Sequence, residues 1–459
     1  AAGSVSPFAP LGERELEPWL QQPLQDLGVD ESAIGSGSRT QRSGASIGEV
    51  VQAASEKYDL NMEFWGKYTD IPSMALAAEK DDILQIIENF ALIRRKHVYL
   101  FQRLKATVLR SLDDWSAPDL AGVCHAWAQL GFLHEDLCVA MADRVSTTAQ
   151  NCTTQELVWL LDAYASARCS VESVSDALVM QTLIRMDEFT LSQLCHHASS
   201  FARLNLRHEG IFCAIAERFV AQAATTAAEG AISPSSSRVS LPLCARDITL
   251  AAYSFAKLGF HAQGFFDIIA ARSLEVMRDF TARDLQMLTV ALVRARHLDG
   301  ELLHGISVQA QRRMAQFNSE SLVLMLRGMA CFVAAKHEPL FTRAIAQLPR
   351  AIPTFRPVDV TMLLSAFAAV QVHSAALFDV VTPVILEKAP LFTPADWLSA
   401  LRSYAALGRK DALFLSALVL HLQAPKLSLH ELCMAIVACS KLSFAGAMDD
   451  LVAAAAAVE

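Results

Sequence analysis

Basic residues recur at two fixed positions of a repeating pattern in this chain, and their side chains are suited to binding phosphate groups. The pattern has a period of about 37 residues, so stacked repeats would bring these residues into line near the ends of successive helices. Such a line of guanidinium and ammonium groups can follow a nucleic-acid backbone. We call this line the stripe, and it consists of Arg94, Arg168, Arg203, Lys257, Arg294, Arg296 and Lys441.

Helix geometry offers a second explanation for the stripe. Lysine and arginine are favoured in the last turn of a helix because they interact well with the helix dipole. The stripe is also interrupted, since three repeats hold Cys331, Ala369 and Ala406 at the position of Arg203. A further set of arginines recurs on the second helix of the repeat, where it forms either a solvated face or a contact with another subunit: Arg144, Arg218 and Arg272.

No arrangement of side chains in the sequence indicates catalysis. The sequence has no glycine-rich phosphate loop, and its recurring Ser, Thr and acidic residues are explained by helix capping, which leaves no candidate nucleophile. Ten Cys are scattered without a Cys-x-x-Cys motif, and thirteen His lack the spacing of metal ligands. We therefore expect a protein that is not an enzyme and that has no metal, cofactor or small-molecule substrate.

The helices that would position the stripe are predicted by a short cluster at the start of each repeat. A capping residue is followed three positions later by Asp, Glu or Gln, which is the capping box of a helix N-terminus. An apolar residue precedes the cap, and an apolar anchor follows it, as with Phe280 and Leu285. The ten anchors are Ile83, Leu120, Leu157, Leu194, Ile248, Leu285, Leu322, Val360, Trp397 and Leu432.

Each repeat continues from this helix start into a short turn and a second helix. A small-residue stretch ends the first helix, as in Phe255-Ala-Lys-Leu-Gly259, and apolar residues at helical spacing follow. One hairpin of this kind cannot bury its apolar face alone, so neighbouring hairpins must stack. The sequence therefore predicts an all-α fold, a right-handed α-solenoid of about ten 37-residue helical-hairpin repeats.

The repeats define the predicted organisation of the chain. We expect an extended N-terminal segment over 1–45, a degenerate capping repeat over 46–112, the solenoid over 113–450 and a helical tail over 451–459. A loop insertion at about 221–240 would explain the long gap between two anchors. The uncharged stretch 360–378 contains Gln371 and His373, so a buried hairpin explains it better than a membrane span. The chain begins at Ala1, which suits either removal of a targeting peptide or a longer protein.

The charge balance favours a different partner from the stripe. The chain has 39 basic and 48 acidic residues, a net charge of −9 and a pI near 5.8. Proteins that coat RNA are usually basic, although a local stripe can bind RNA on an acidic protein. An acidic solenoid is equally suited to be a scaffold for other proteins.

The repeat resembles the heptatricopeptide repeat, an octotricopeptide-like, RAP-associated helical repeat of organellar RNA-binding proteins. The residues that carry the resemblance are Phe280-Thr-Ala-Arg-Asp-Leu285, Phe392-Thr-Pro-Ala-Asp-Trp397 and Phe255-Ala-Lys-Leu-Gly259. It covers about residues 78 to 450. The sequence shows no RAP domain at its C-terminal end, so a nuclease-like role gains no support.

This resemblance implies an RNA-binding protein of the mitochondrial matrix. We predict a structural component of the mitochondrial ribosome that binds ribosomal RNA fragments and neighbouring protein subunits. One alternative is a protein-only scaffold or accessory subunit of another mitochondrial complex, such as a respiratory complex or ATP synthase. The other is a free organellar RNA-processing factor.

Overall fold

The structure is a computed structural model, and it describes residues 80–92, 98–232, 243–332, 338–422, 427–446 and 448–456. These residues contain twenty-one α-helices and no strand, which confirms the predicted all-α helical-repeat fold. The predicted N-terminal segment 1–45 lies outside the described residues, as do Arg94 and residues 46–79. Within the described part of the chain, no helix is long and apolar enough to span a membrane.

The chain divides into two compact units, of which the first comprises residues 1–243. Its described helices form four hairpins, and we number the helices so that odd numbers are the first helix of a hairpin and even numbers the second. The helices are α1 (Lys80–Leu92), α2 (Val98–Arg110), α3 (Ala117–Gln129), α4 (Glu135–Thr148), α5 (Thr154–Ser166), α6 (Glu172–Ile184), α7 (Leu191–Arg203) and α8 (Glu209–Ile232).

The second unit comprises residues 244–459 and contains six hairpins. The second helix of its third hairpin is divided into α14 and α15, so the first helices from there on are α16, α18 and α20. The helices are α9 (Ala245–Lys257), α10 (Gln263–Glu275), α11 (Ala282–Ala295), α12 (Gly300–Arg312), α13 (Ser319–Ala330), α14 (Glu338–Ile345), α15 (Leu348–Ala351), α16 (Pro357–Val370), α17 (Ala375–Glu387), α18 (Pro394–Ala406), α19 (Ala412–His421), α20 (Leu429–Lys441) and α21 (Met448–Ala456).

All ten first helices begin three residues before their predicted anchor. The anchors are buried, with relative exposures of 2% or less. The predicted capping boxes form, as at Thr281, whose hydroxyl accepts from the Asp284 N–H at 3.2 Å while the Asp284 carboxylate accepts from the Thr281 N–H at 3.1 Å. Equivalent boxes begin at Ser116, Thr153, Thr190, Cys244, Thr393 and Ser428. The repeat is therefore defined physically by its helix starts.

First helices also end in the same way. The residue eleven positions after the anchor has a positive φ in all eight hairpins where the structure describes it. Glycine supplies this left-handed conformation most easily, as predicted at Gly131, Gly259 and Gly408. The other five hairpins use Arg168, Asn205, Arg296, Gln371 and Ser443.

Within each unit the hairpins pack into two layers. First helices pack on the neighbouring first helices, for example α9 on α11 and α11 on α13, and second helices pack on second helices, for example α10 on α12. A 3-10 turn precedes many of the first helices, such as Met277–Asp279 before α11. The sequence pattern did not reveal these turns. Because the hairpins form two layers, the first helices have one side that packs on the second helices and another side that faces away from them.

One predicted boundary differs from the structure. Helix α8 continues to Ile232, so residues 221–232 of the predicted loop insertion are helical, and residues 233–242 lie outside the described part. Residues 451–459, predicted to be a helical tail, are covered from 451 to 456 by helix α21, and Leu451 is only 1% exposed. Alanine-rich residues extend both helices because alanine has the highest helix propensity.

Candidate nucleic-acid interface

Arg203 is engaged in packing. Its guanidinium pairs with the Asp162 carboxylate at 2.6 Å and donates to the Ser166 hydroxyl at 2.8 Å. Both partners lie on α5, so Arg203 ties α7 to the first helix of the preceding hairpin. Its side chain is 11% exposed, which leaves little of it for a phosphate.

Arg168 and Arg296 occupy a different structural position from Arg203. Both have φ of 53° and lie just after the end of a first helix, at the left-handed position described above. Both are exposed. The predicted stripe therefore merges two sets, one on the last turn of the helix and one in the turn that follows. Lys441 belongs to the first set and is exposed at the end of α20.

The arginines of the second helices make contacts within their own unit. The Arg144 Nε donates to the Trp115 carbonyl, Arg218 lies 3.4 Å from the Asp187 carboxylate, and Arg272 pairs with Glu275. Three further cations tie the end of a second helix to a carbonyl in the loop before the preceding first helix: Arg185 to Cys152, Arg313 to Arg278 and Lys388 to Phe355. These packing contacts explain why basic residues recur on the second helices.

Three consecutive first helices of the second unit, α9, α11 and α13, present a cluster of cations that we call the basic face. Lys257 and Arg294 are the members that the stripe includes. The sequence interpretation missed the other three, although two of them also recur 37 residues apart, two positions before the anchor. The basic face consists of Arg246, Lys257, Arg283, Arg294 and Arg327.

Four cations of the basic face form two edges on α9 and α11, and Arg327 lies between the lines of these edges on α13, where Glu320 occupies the position of Arg283. Arg246 and Arg283 lie in the first helical turn, whereas Lys257 and Arg294 lie in the last. A rise of 1.5 Å for each residue places the two edges roughly 16 Å apart along each helix. Neighbouring helices pack about 8–10 Å apart, which sets the step from one cation to the next along an edge.

Apart from Arg327, the face between the edges is packed and neutral. Leu250, Met287 and Leu324 occupy one equivalent position on the three helices and are at most 4% exposed. Tyr253 is also buried; burial raises its pKa to about 12, against the opposing effect of the Arg294 charge. The phenol therefore stays protonated at neutral pH, and it adds no negative charge to the face.

The carboxylates near the basic face are largely engaged in helix capping. Asp247 and Asp284 are each 5% exposed and accept from the cap N–H groups of their own helices. Arg246 lies 3.6 Å from Asp284, and its side chain is 39% exposed against 7% for the carboxylate. Because the cations of α9 and α11 are half-buried and these two acids are buried, the exposed charge on these two helices is positive on a chain that is acidic as a whole.

No metal-binding site is evident in the described part of the chain. No group of three or more His, Cys, Asp or Glu residues there is placed to hold a metal ion. Cys124 and Cys152 are buried, and burial raises the pKa of each thiol to about 12, so these thiols are poor nucleophiles.

One comparison with known proteins bears on the basic face. Residues 229–348 match the model of a family described as RNA-editing substrate-binding complex 6 protein. The match spans about a quarter of the chain and contains all five residues of the basic face. A search of curated proteins found no match. The heptatricopeptide resemblance remains a prediction.

Proposed function

We propose that this chain is a non-enzymatic, RNA-binding helical-repeat protein of the mitochondrion that acts in an RNA-processing assembly. The observation that carries the proposal is the basic face, whose five cations lie on three adjacent first helices inside the segment that matches the RNA-editing family. Binding of an RNA strand that is a substrate of RNA editing is the specific role that this match favours.

The basic face is suited to an RNA backbone rather than to individual bases. Its cations are separated by packed apolar residues, so it offers charge along two edges and no open aromatic surface between them. Contacts of this kind neutralise phosphates, release counterions and carry no sequence information of their own. Sequence selection would then come from other members of the assembly.

Two other functions keep specific support. The heptatricopeptide resemblance favours the mitochondrial ribosome, where the same face would bind ribosomal RNA fragments. The net charge of −9 favours a protein scaffold. The description of the matched family names RNA editing and no ribosome, so the match favours an RNA-processing factor over the ribosomal role.

Charge reversal on the full-length protein tests the proposal. We expect Arg283→Glu with Arg294→Glu to weaken binding of labelled single-stranded RNA about tenfold or more, measured by fluorescence anisotropy. The slope of log affinity against log salt should fall by about 1 to 2, because two phosphate contacts are lost. The matched control is Arg402→Glu with Lys441→Glu, on first helices of the same unit outside the family match, and it should change both quantities little.

Sedimentation of the tagged protein from mitochondrial lysate, with and without RNase, separates the three functions. The proposal expects RNase-sensitive migration and crosslinks to messenger RNA. Crosslinks to ribosomal RNA in a ribosomal fraction would replace it with the ribosomal role. RNase-resistant migration without crosslinks, together with unchanged binding by the charge-reversal variant, would replace it with the scaffold.

A further inference from the structure

The second helices of the second unit enclose a groove between α10 and α12. Leu274, Met277 and Val308 contribute apolar side chains to its lining. Gly305 lies where the two helices meet, and a Cβ atom there would approach the Leu274 and Met277 side chains to 3.3 Å. The missing side chain therefore allows a close approach of α12 to the end of α10 and to the turn that follows it.

The rest of the lining carries an excess of positive charge. Arg278 and Arg312 are exposed, and the structure gives their side chains no hydrogen bond or ion pair to the residues that it describes. His304 is also exposed on the same lining. The one carboxylate of the lining, Glu275, is paired with Arg272 at 2.5 Å. Among the residues that the structure describes, these two arginines thus have no counterion beside an apolar surface.

We infer that this groove binds an acidic, amphipathic peptide segment of a partner protein. Carboxylates on the segment would pair with Arg278 and Arg312, and its apolar side chains would cover Leu274, Met277 and Val308. Arginine and methionine are enriched at protein interfaces, and methionine adapts its shape to a partner. RNA fits less well, because Leu274, Met277 and Val308 are half-buried and a phosphate backbone would leave their apolar side chains uncovered, whereas the apolar residues of the basic face are already buried.

The groove is not a general property of the repeat. The corresponding pair of second helices in the first unit is α4 and α6, where Gln150, Asp176 and Ile184 occupy the positions of Arg278, His304 and Arg312. Ala177 stands where α12 has Gly305. At these positions α4 and α6 carry no positive charge, whereas α10 and α12 carry two arginines. Only the groove between α10 and α12 therefore calls for an acidic partner.

The groove and the basic face belong to different helix layers of the second unit. The groove is formed by α10 and α12, whereas the basic face is formed by α9, α11 and α13. A peptide in the groove therefore leaves the first-helix layer open. Because the two sites use different residues, the peptide site stands whether or not the basic face binds RNA.

Binding of a labelled peptide built from Asp, Glu, Leu and Phe to the full chain tests the inference. We expect Arg278→Ala with Arg312→Ala to weaken this peptide about tenfold. Both residues are exposed, so the fold should survive, and circular dichroism checks that it does. The matched control is Arg283→Glu with Arg294→Glu, which should leave peptide binding unchanged. A peptide with Lys in place of its acids should not bind.

Three results would overturn the inference. They are no binding of the acidic peptide above the lysine peptide, equal binding by the Arg278→Ala, Arg312→Ala variant, and a loss of RNA binding by that variant as large as that of the control. A photocrosslinking amino acid in place of Val308, used in mitochondria, provides an independent test. Crosslinks should fall on acidic segments of a protein, and crosslinks to RNA or to basic segments would contradict the proposal.

Discussion

The first helices of the two units share one repeat and differ in their exposed chemistry. Three positions on each helix carry different residue types in the two units, at two residues before, five after and nine after the anchor. In α3, α5 and α7 they hold one cation and one carboxylate, which pair with each other as Arg203 and Asp162. In α9, α11 and α13 the same positions hold five cations and one carboxylate, Glu320.

The first unit fills its face with contacts among its own side chains. His125 stacks on Trp159 with ring centroids 4.8 Å apart, and the two rings come from adjacent first helices. Burial lowers the pKa of His125 despite the opposing effect of Asp162, so the imidazole is neutral at neutral pH. The comparison shows that the anchors and caps determine where each helix lies, and that the residues at the three positions named above determine which charges the helix exposes.

The largest expected effect comes from removing an anchor. Leu157→Ala and Leu285→Ala each delete a fully buried side chain and should each lower the free energy of unfolding by about 2–5 kcal/mol. Urea titration followed by circular dichroism measures this loss. If only the second unit binds RNA, Leu285→Ala should impair RNA binding far more than Leu157→Ala. Equal impairment would remove the functional distinction between the units.

A buried histidine should make the first unit sensitive to acid. Burial lowers the pKa of His197 to about 3, and its imidazole lies 2.8 Å from the Thr182 hydroxyl. In the unfolded chain its pKa is about 6.5, so below that pH the unfolded state binds the proton more readily and stability falls. Between pH 7 and pH 5 the loss should be about 2 kcal/mol.

The control for this pH dependence is His197→Gln, which keeps a hydrogen-bonding group and does not titrate. Urea unfolding at both pH values should show a smaller acid loss in this variant than in the native chain. The equivalent residue of α9 is Ala251, so α9 lacks this source of acid sensitivity. An acid loss of the same size in the variant would assign the effect to other groups.

Arg203 and Arg294 occupy the same repeat position and should respond differently to alanine. Arg203→Ala breaks the tie to Asp162 and Ser166 and should cost about 1 kcal/mol of stability, with RNA binding unchanged. Arg294→Ala should weaken RNA binding and flatten its salt dependence. Urea titration and fluorescence anisotropy measure the two effects. A reversed outcome would place the RNA site in the first unit.

The scaffold was predictable because its signals are local. A cap and its partner lie three residues apart, and an anchor lies four residues after the cap, so Thr281, Asp284 and Leu285 predict a helix start without tertiary information. The same holds for Gly259 at a helix end. Helix ends such as Ile232 were harder to predict, because alanine-rich sequence continues a helix without a stop signal.

The candidate site was only partly predictable because its chemistry depends on neighbours far away in sequence. Arg203 and Lys257 occupy the same position of the repeat, and only the structure shows that Asp162 of the preceding repeat neutralises the first. The stripe also combined Arg296 with Arg294, although the structure places one in the turn after the helix and the other in its last turn. Arg246 and Arg283 are also separated by the 37-residue period. The sequence interpretation missed them because they lie at helix starts, where the helix dipole does not favour cations.

The smallest effect concerns the left-handed positions that both units fill with arginine. A residue with a side chain at φ near 53° is strained relative to glycine. Arg168→Gly and Arg296→Gly should therefore each stabilise the protein by about 0.5–1 kcal/mol, measured as a shift of the urea midpoint. Both residues are exposed, so little packing is lost.

Arg296 lies two residues after Arg294, which makes it the critical case: if the basic face ends at the last helical turn, both variants keep full RNA affinity. Weaker RNA binding by Arg296→Gly alone would extend the basic face into the turn after α11 and would widen the difference between the two units.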